Sequence, residues 1–177
     1  MARPHAPVTV RGLVKLARPK LAVHAVVESA QAPSSLCNMK VPTLLEVDAY
    51  DVPSFLAARI ALIHKVPEDF ALALLREAKR MLYLSVVSND SIAPPDRVDW
   101  AWHEMLMFTR WYKAYAEFIG AFIHHDPNPP SGDMHEETWE EIQANLGKPT
   151  PGTDTYIKTK NNYEKYFGEK PNPLYWP

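Results

Sequence analysis

The chain has 177 residues, 46% of them hydrophobic, enough for one domain with a core of its own. A net charge of −2 leaves no electrostatic footprint for nucleic acid, and the single cysteine, Cys37, excludes an internal disulfide or a cysteine-built zinc site within one chain. No apolar run approaches the roughly 18–20 residues needed to span a bilayer; the longest, Phe55 to Ile63 and Met81 to Val87, are short, and Arg59 interrupts the first.

Seventeen prolines against six glycines favour stiff, extended segments over flexible linkers. Residues 1–50 hold prolines at 4, 7, 19, 33 and 42 and no sustained period, so they read as an extended N-terminal arm. Within it, Val8 to Leu16 and Leu21 to Val27 fit a short helix or a strand equally well. The first acidic residue is Glu28, and Arg3, Arg11, Lys15, Arg18 and Lys20 precede it. Arginines without acids, spaced by apolar residues, resemble a mitochondrial targeting segment; a solvated basic arm of a cytoplasmic protein is the plainer alternative.

The pattern sharpens from Asp51. Asp51-Val52-Pro53-Ser54 predicts a helix start running to about Lys65, with Phe55, Ile60, Ala61 and Ile63 available for burial. Pro67-Glu68-Asp69 opens a second helix, acidic in its first turn as the helix dipole favours. Ala71, Leu74, Leu75, Ala78, Met81 and Leu82 form its apolar stripe, with Arg76, Glu77, Lys79 and Arg80 on the wet side, to about Ser88. A third helix spans Asp96 to about Ile119, with Asp96 as N-cap and Asp99 as its capping-box partner. Aromatic and apolar residues from Trp100 to Phe118 cover most of its circumference, the pattern of a central helix.

Beyond Gly120 come a short apolar element, Ala121 to Ile123, and a loop from Asp126 to Gly132. A helix over about Glu136 to Leu146 follows, then a breaker, Gly147 to Gly152. A last amphipathic helix covers about Asp154 to Phe167, with Tyr156, Ile157, Tyr163 and Tyr166 as its apolar side. The tail, residues 169–177, has too many prolines for a helix. The expected fold is mainly α: a small bundle at 51–168 around a central aromatic-rich helix, with proline-rich arms at 1–50 and 169–177.

The chemistry-bearing residues are Asp99, His103, His124 and His125. Asp99 and His103 are four apart, so on a helix they share a face and can hydrogen-bond. A carboxylate behind an imidazole serves a metal-bound or general-base histidine, and equally a buried structural one. On one continuous helix His103 stands about 24 Å from Ile119, and Gly120 to His124 can return only about 17 Å. The expectation is therefore a structural His103, buried against Asp99, with no catalytic residue, metal or cofactor in a single chain.

Ala78 to Leu84, Pro95, Val98-Asp99, Trp102-His103, Thr109, Tyr112, Gly120 and Phe122-Ile123-His124-His125 with Pro127 together resemble a family of small bacterial proteins similar to plant glycine-rich domain-containing proteins. The likeness runs from about Leu75 to Gly168, more thinly at Thr159, Tyr163 and Phe167-Gly168. The family's motif is Trp-His-x-His-x-x-Asp-Thr followed by Phe-Ile-His-His. This chain has Met105 for the second histidine and Phe108 for the aspartate. The resemblance implies a fold but no reaction.

Proline-rich arms have little pattern for packing on their own core, and their prolines lower the entropy cost of being held extended. A partner surface is the expected holder, with Leu174, Tyr175 and Trp176 as anchors and Arg3, Arg11 and Arg18 meeting acidic or membrane-headgroup surface. The leading functional expectation is thus a non-catalytic accessory subunit bound to other protein subunits, with a mitochondrial respiratory complex or ATP synthase first. The alternative is a metal-binding protein or enzyme using Asp99, His103, His124 and His125.

Overall fold

In the computed structural model the described residues are 24–28, 41–126, 138–145 and 154–177. Among them the chain is mainly helical, as its apolar periods predict. In chain order the elements are β1 (His24–Glu28), α1 (Leu44–Ala49), α2 (Ser54–His64), α3 (Glu68–Ser88), α4 (Asp96–Met107), α5 (Thr109–Ile119), β2 (Phe122–Asp126), α6 (Trp139–Ala144) and α7 (Asp154–Phe167). Arg3, Arg11 and Arg18, and the targeting reading built on them, lie outside the described residues.

The hub is α3, not the aromatic-rich helix expected from the sequence. Thirteen of its 21 residues are buried, and it packs against α1, α2, α4 and α7. Its supposed wet side is largely inside. Glu77, Lys79 and Arg80 are buried, and of the four charged residues only Arg76 is exposed. Each buried charge is paired, as burial demands. Lys79 donates to the carbonyls of Asp48 (2.8 Å) and Tyr50 (2.7 Å), at the C-terminal end of α1 where a cation is favoured. Arg80 grips the Asp48 carboxylate with two nitrogens (2.7 and 2.6 Å) and donates to Tyr163 and Glu169.

The arms also differ from expectation. Thr43 caps α1 reciprocally with Glu46, and Val47 of α1 lies in the core, so the domain begins before residue 51. At the other end Trp176 is fully buried in its own chain, with Nε1 donating to Glu77 (2.9 Å). The Leu174 carbonyl accepts from Arg97 (2.7 Å), and the Pro177 carbonyl accepts from the Tyr156 hydroxyl (2.6 Å). Trp176 is thus an anchor in its own core and not one held out for a partner, while Leu174 and Tyr175 pack against that core partly buried. Glu77, with two donors waiting for a carboxylate, supplies the physical reason.

The third predicted helix is two. It breaks at Phe108, whose backbone (φ −103°, ψ 61°) belongs to neither helix, and the Phe108 ring packs edge-on against Phe55 at 4.8 Å. Pro95, not Asp96, precedes the first turn of α4, and no side chain caps it. At the far end of α5 Gly120 adopts φ +95°, a value open to glycine at little cost, and the chain reverses into β2. β2 pairs antiparallel with β1, Ala25 opposite His125 and Val27 opposite Ile123, so the described part of the segment that fitted helix or strand equally, His24 to Val27, is a strand.

The Asp48 carboxyl gives this network an acid limit. Burial pushes its pKa up, but hydrogen bonds and charge from Arg80 and Arg76 outweigh it and hold the pKa below the usual aspartate value. A depressed carboxylate stabilises the fold above its unfolded pKa, and that stability is lost as pH falls through the folded one. Stability is therefore expected to fall below about pH 4, with Asp48→Asn flattening that limb. Thermal melts of both proteins between neutral and acid pH check it.

Candidate metal centre

Two elements supply the site. α4 presents Asp99 and His103 one turn apart on one face. In β2 side chains alternate, so Ile123 and His125 turn inward while Phe122 and His124 turn out. Ile123 is buried, and the His125 side chain is only 8% exposed.

The result is a triangle. His103 Nε2 lies 2.9 Å from His125 Nε2, His125 Nε2 lies 3.2 Å from Asp99 Oδ1, and His103 Nε2 lies 3.5 Å from Asp99 Oδ2. Asp99, His103 and His125 each turn one ligand atom to within 4.8 Å of the others. The expectation that a straight helix keeps His103 from the second histidine pair is overturned. With the chain broken at Phe108, the outward leg is only α5, about 16 Å at 1.5 Å per residue. The five residues of β2, at about 3.3 Å each, retrace that length.

His103 is not the buried histidine expected. Its side chain is 50% exposed, against 17% for Asp99. His124 does not join the triangle; it lies on the outer face of β2, its ring 4.8 Å from Phe122. Of the four residues singled out in the sequence, three converge and one does not. Nor do the departures from the family motif touch the site. Met105 is buried in the core, two residues and about 200° around the helix from His103. Phe108 occupies the N-cap position of α5, where it makes no side-chain cap.

Two residues that hold the site in place, Trp102 and Tyr112, stand in the sequence among the residues of the family resemblance and the apolar pattern, with nothing to mark this role. The Trp102 ring meets His125 edge-on at 4.5 Å. Trp102 Nε1 donates to the Tyr112 hydroxyl (3.1 Å), which donates to the Ile123 carbonyl (2.6 Å), two residues before His125. Burial, opposed in part by the Trp102 bond, pushes the Tyr112 phenol up to about 12, so it remains a donor at neutral pH. This chain ties α4, α5 and β2 together beside the ligands. Tyr112→Phe leaves a buried indole N–H and a carbonyl without their shared partner. The expected cost is about 1–3 kcal/mol of stability, read by denaturant titration, together with weaker metal binding.

Comparison with protein-family models, with curated proteins and with solved structures finds no match.

Proposed function

We propose that this protein binds one divalent transition-metal ion through Asp99, His103 and His125, leaving a coordination position open to solvent. The observation behind the reading is the triangle itself. Ligand atoms about 2.0–2.2 Å from one ion, at roughly tetrahedral or octahedral angles, stand about 3.0–3.5 Å apart. Here the two imidazole nitrogens stand 2.9 Å apart and each faces its own Asp99 oxygen, Oδ1 at 3.2 Å from His125 and Oδ2 at 3.5 Å from His103, so the carboxylate spans the third corner and one ligand atom from each residue lies within 4.8 Å of the other two. Two imidazoles and one carboxylate suit zinc, iron, cobalt, nickel or copper, and suit calcium and magnesium poorly. An ion needs the Nε2 lone pair of both rings, so binding one replaces the hydrogen bond between the two facing nitrogens.

Three protein ligands complete no common geometry, and the half-exposed His103 leaves the remaining direction towards water. An ion held this way acidifies a bound water and can polarise a substrate oxygen. The test is titration of chelator-treated protein with Co²⁺ and Zn²⁺. One equivalent is expected to bind, with a visible Co²⁺ spectrum, a raised melting temperature and no response to Ca²⁺. Failure to bind either ion with at least micromolar affinity sinks the reading.

A second reading, a subunit packed on other proteins, is supported by α2. This helix is apolar nearly all round, and its inner side takes only Leu56, Ala57 and Ile60. Phe55, Ile63 and Leu62 (80% exposed) remain outside, with Met107 of α4 at 68%. A respiratory complex or ATP synthase is then one setting for such a face. Leu62→Glu is expected to abolish association with its assembly while leaving metal content unchanged; unaltered association sets this reading aside.

A further inference from the structure

A cavity of about 210 Å³ shares no residue with the metal triangle. It opens between the start of α3, α6 and the C-terminal tail. Phe70, 4% exposed, is its floor. The Trp139 ring stands 4.9 Å from Phe70 and is inclined at 66°, and Tyr175 stands 5.5 Å away at 44°. Pro67 and Leu174 complete the apolar lining, and Asp69 is its one charged residue.

We propose that this cavity binds a trimethylammonium group of the choline type. Three aromatic rings line this one small space, and the π face of such a ring attracts a cation. A quaternary ammonium has no N–H to satisfy, so it needs no ring of acceptors. Its methyl groups take the apolar contacts, and one carboxylate at the rim balances its charge. A primary ammonium would leave donors unpaired against Phe70, Pro67 and Leu174. The cavity is smaller than the roughly 300–1,000 Å³ of sites for drug-sized ligands, which fits a headgroup. The field around it has the right sign: besides burial, the negative charges of Glu77 and Asp69 raise the pKa of the Tyr175 phenol, outweighing Arg76.

The rings come from three distant parts of the sequence and meet through elements already described. Phe70 stands in the first turn of α3, Trp139 opens α6 behind the Thr138–Glu141 capping box, and Tyr175 is placed by the buried Trp176 beside it.

The test compares choline with its neutral isostere 3,3-dimethylbutan-1-ol, using the full-length protein and following calorimetry and tryptophan fluorescence. Choline is expected to saturate in the millimolar range. The isostere, which keeps the shape without the charge, is expected to bind at least about tenfold more weakly, a difference of about 1.4 kcal/mol. Asp69→Asn should weaken choline selectively, and Trp139→Leu should abolish its binding while the melting transition stays cooperative. Sedimentation with phosphatidylcholine against phosphatidylglycerol vesicles separates the sources. Selective capture by phosphatidylcholine assigns a membrane headgroup, and binding of free choline alone assigns a soluble ligand. Equal binding of the isostere, no response to choline at tens of millimolar, or full binding by both variants overturns the proposal.

Discussion

His125→Ala is expected to remove metal binding while the protein stays folded. The His125 side chain is almost buried and is fixed by the Trp102 ring on one side and by pairing of β2 with β1 on the other. A ligand already held in place loses little entropy when an ion arrives, so its deletion costs more than deletion of a mobile one. Changing groups around a ligand commonly costs 10–100-fold in metal affinity; removing the ligand is expected to exceed the upper figure, about 100-fold. His103→Ala should lower affinity nearly as far but hardly change the melting temperature of the metal-free protein. Its side chain is half in water, and substitutions at such sites usually fall within about 0.5 kcal/mol. Paired Co²⁺ titrations and metal-free melts read both quantities. A His125→Ala protein that binds the ion with wild-type affinity rejects the triangle as the ligand set. A His103→Ala protein that melts far below wild type restores a structural role for that residue.

The difficulty of seeing this site in the sequence has a particular cause. The residues buried along α4 and α5 include Val98, Met105, Tyr112 and Ile119, in steps of seven, and one unbroken helix gives the same steps. The period keeps its phase across Phe108, so periodicity cannot show the break there. No glycine or proline marks it, and the residue at the N-cap of α5 is a phenylalanine that cannot cap. The existence and type of the long elements were legible because each carries its own period: α2, α3 and α7 start and stop close to their predicted places. Contacts between elements were not. Glu77, Lys79 and Arg80 look like a solvated stripe in any local window, because Asp48, Tyr50, Tyr163 and Trp176, which meet them, lie from 29 residues away (Lys79–Tyr50) to 99 (Glu77–Trp176). One missed signal was local. Thr43-Leu44-Leu45-Glu46 has the spacing of a capping box, set directly after Pro42 in a segment whose prolines otherwise favour extended chain.

The largest stability effect is expected at the opposite end of the molecule, from removal of Trp176. The sequence reads as a tail with little pattern for packing on its own core, but the structure makes it the lid on α3. Trp176 buries its whole side chain, packs edge-on against Tyr163 at 5.5 Å and shares the Glu77 carboxylate with the Tyr163 hydroxyl, which donates to the same oxygen at 2.9 Å. Trp176→Ala empties a large volume and halves the hydrogen bonding of a buried carboxylate. Large-to-small changes of this kind cost about 3–5 kcal/mol, out of about 5–15 kcal/mol for a whole domain. The melting temperature is expected to drop by roughly 10 °C or more. Trp176→Phe separates the two contributions, since it keeps most of the ring and loses only the N–H; it should recover more than half of the stability. Deleting residues 174–177 goes further, because Arg97 and Tyr156 also lose the carbonyls of Leu174 and Pro177. That truncated protein is expected to be unfolded, or nearly so, at 37 °C by circular dichroism. A deletion that left a cooperative melt at the wild-type temperature would return the tail to the role of a free arm, and would weaken the choline site with it, since Tyr175 forms one side of that cavity.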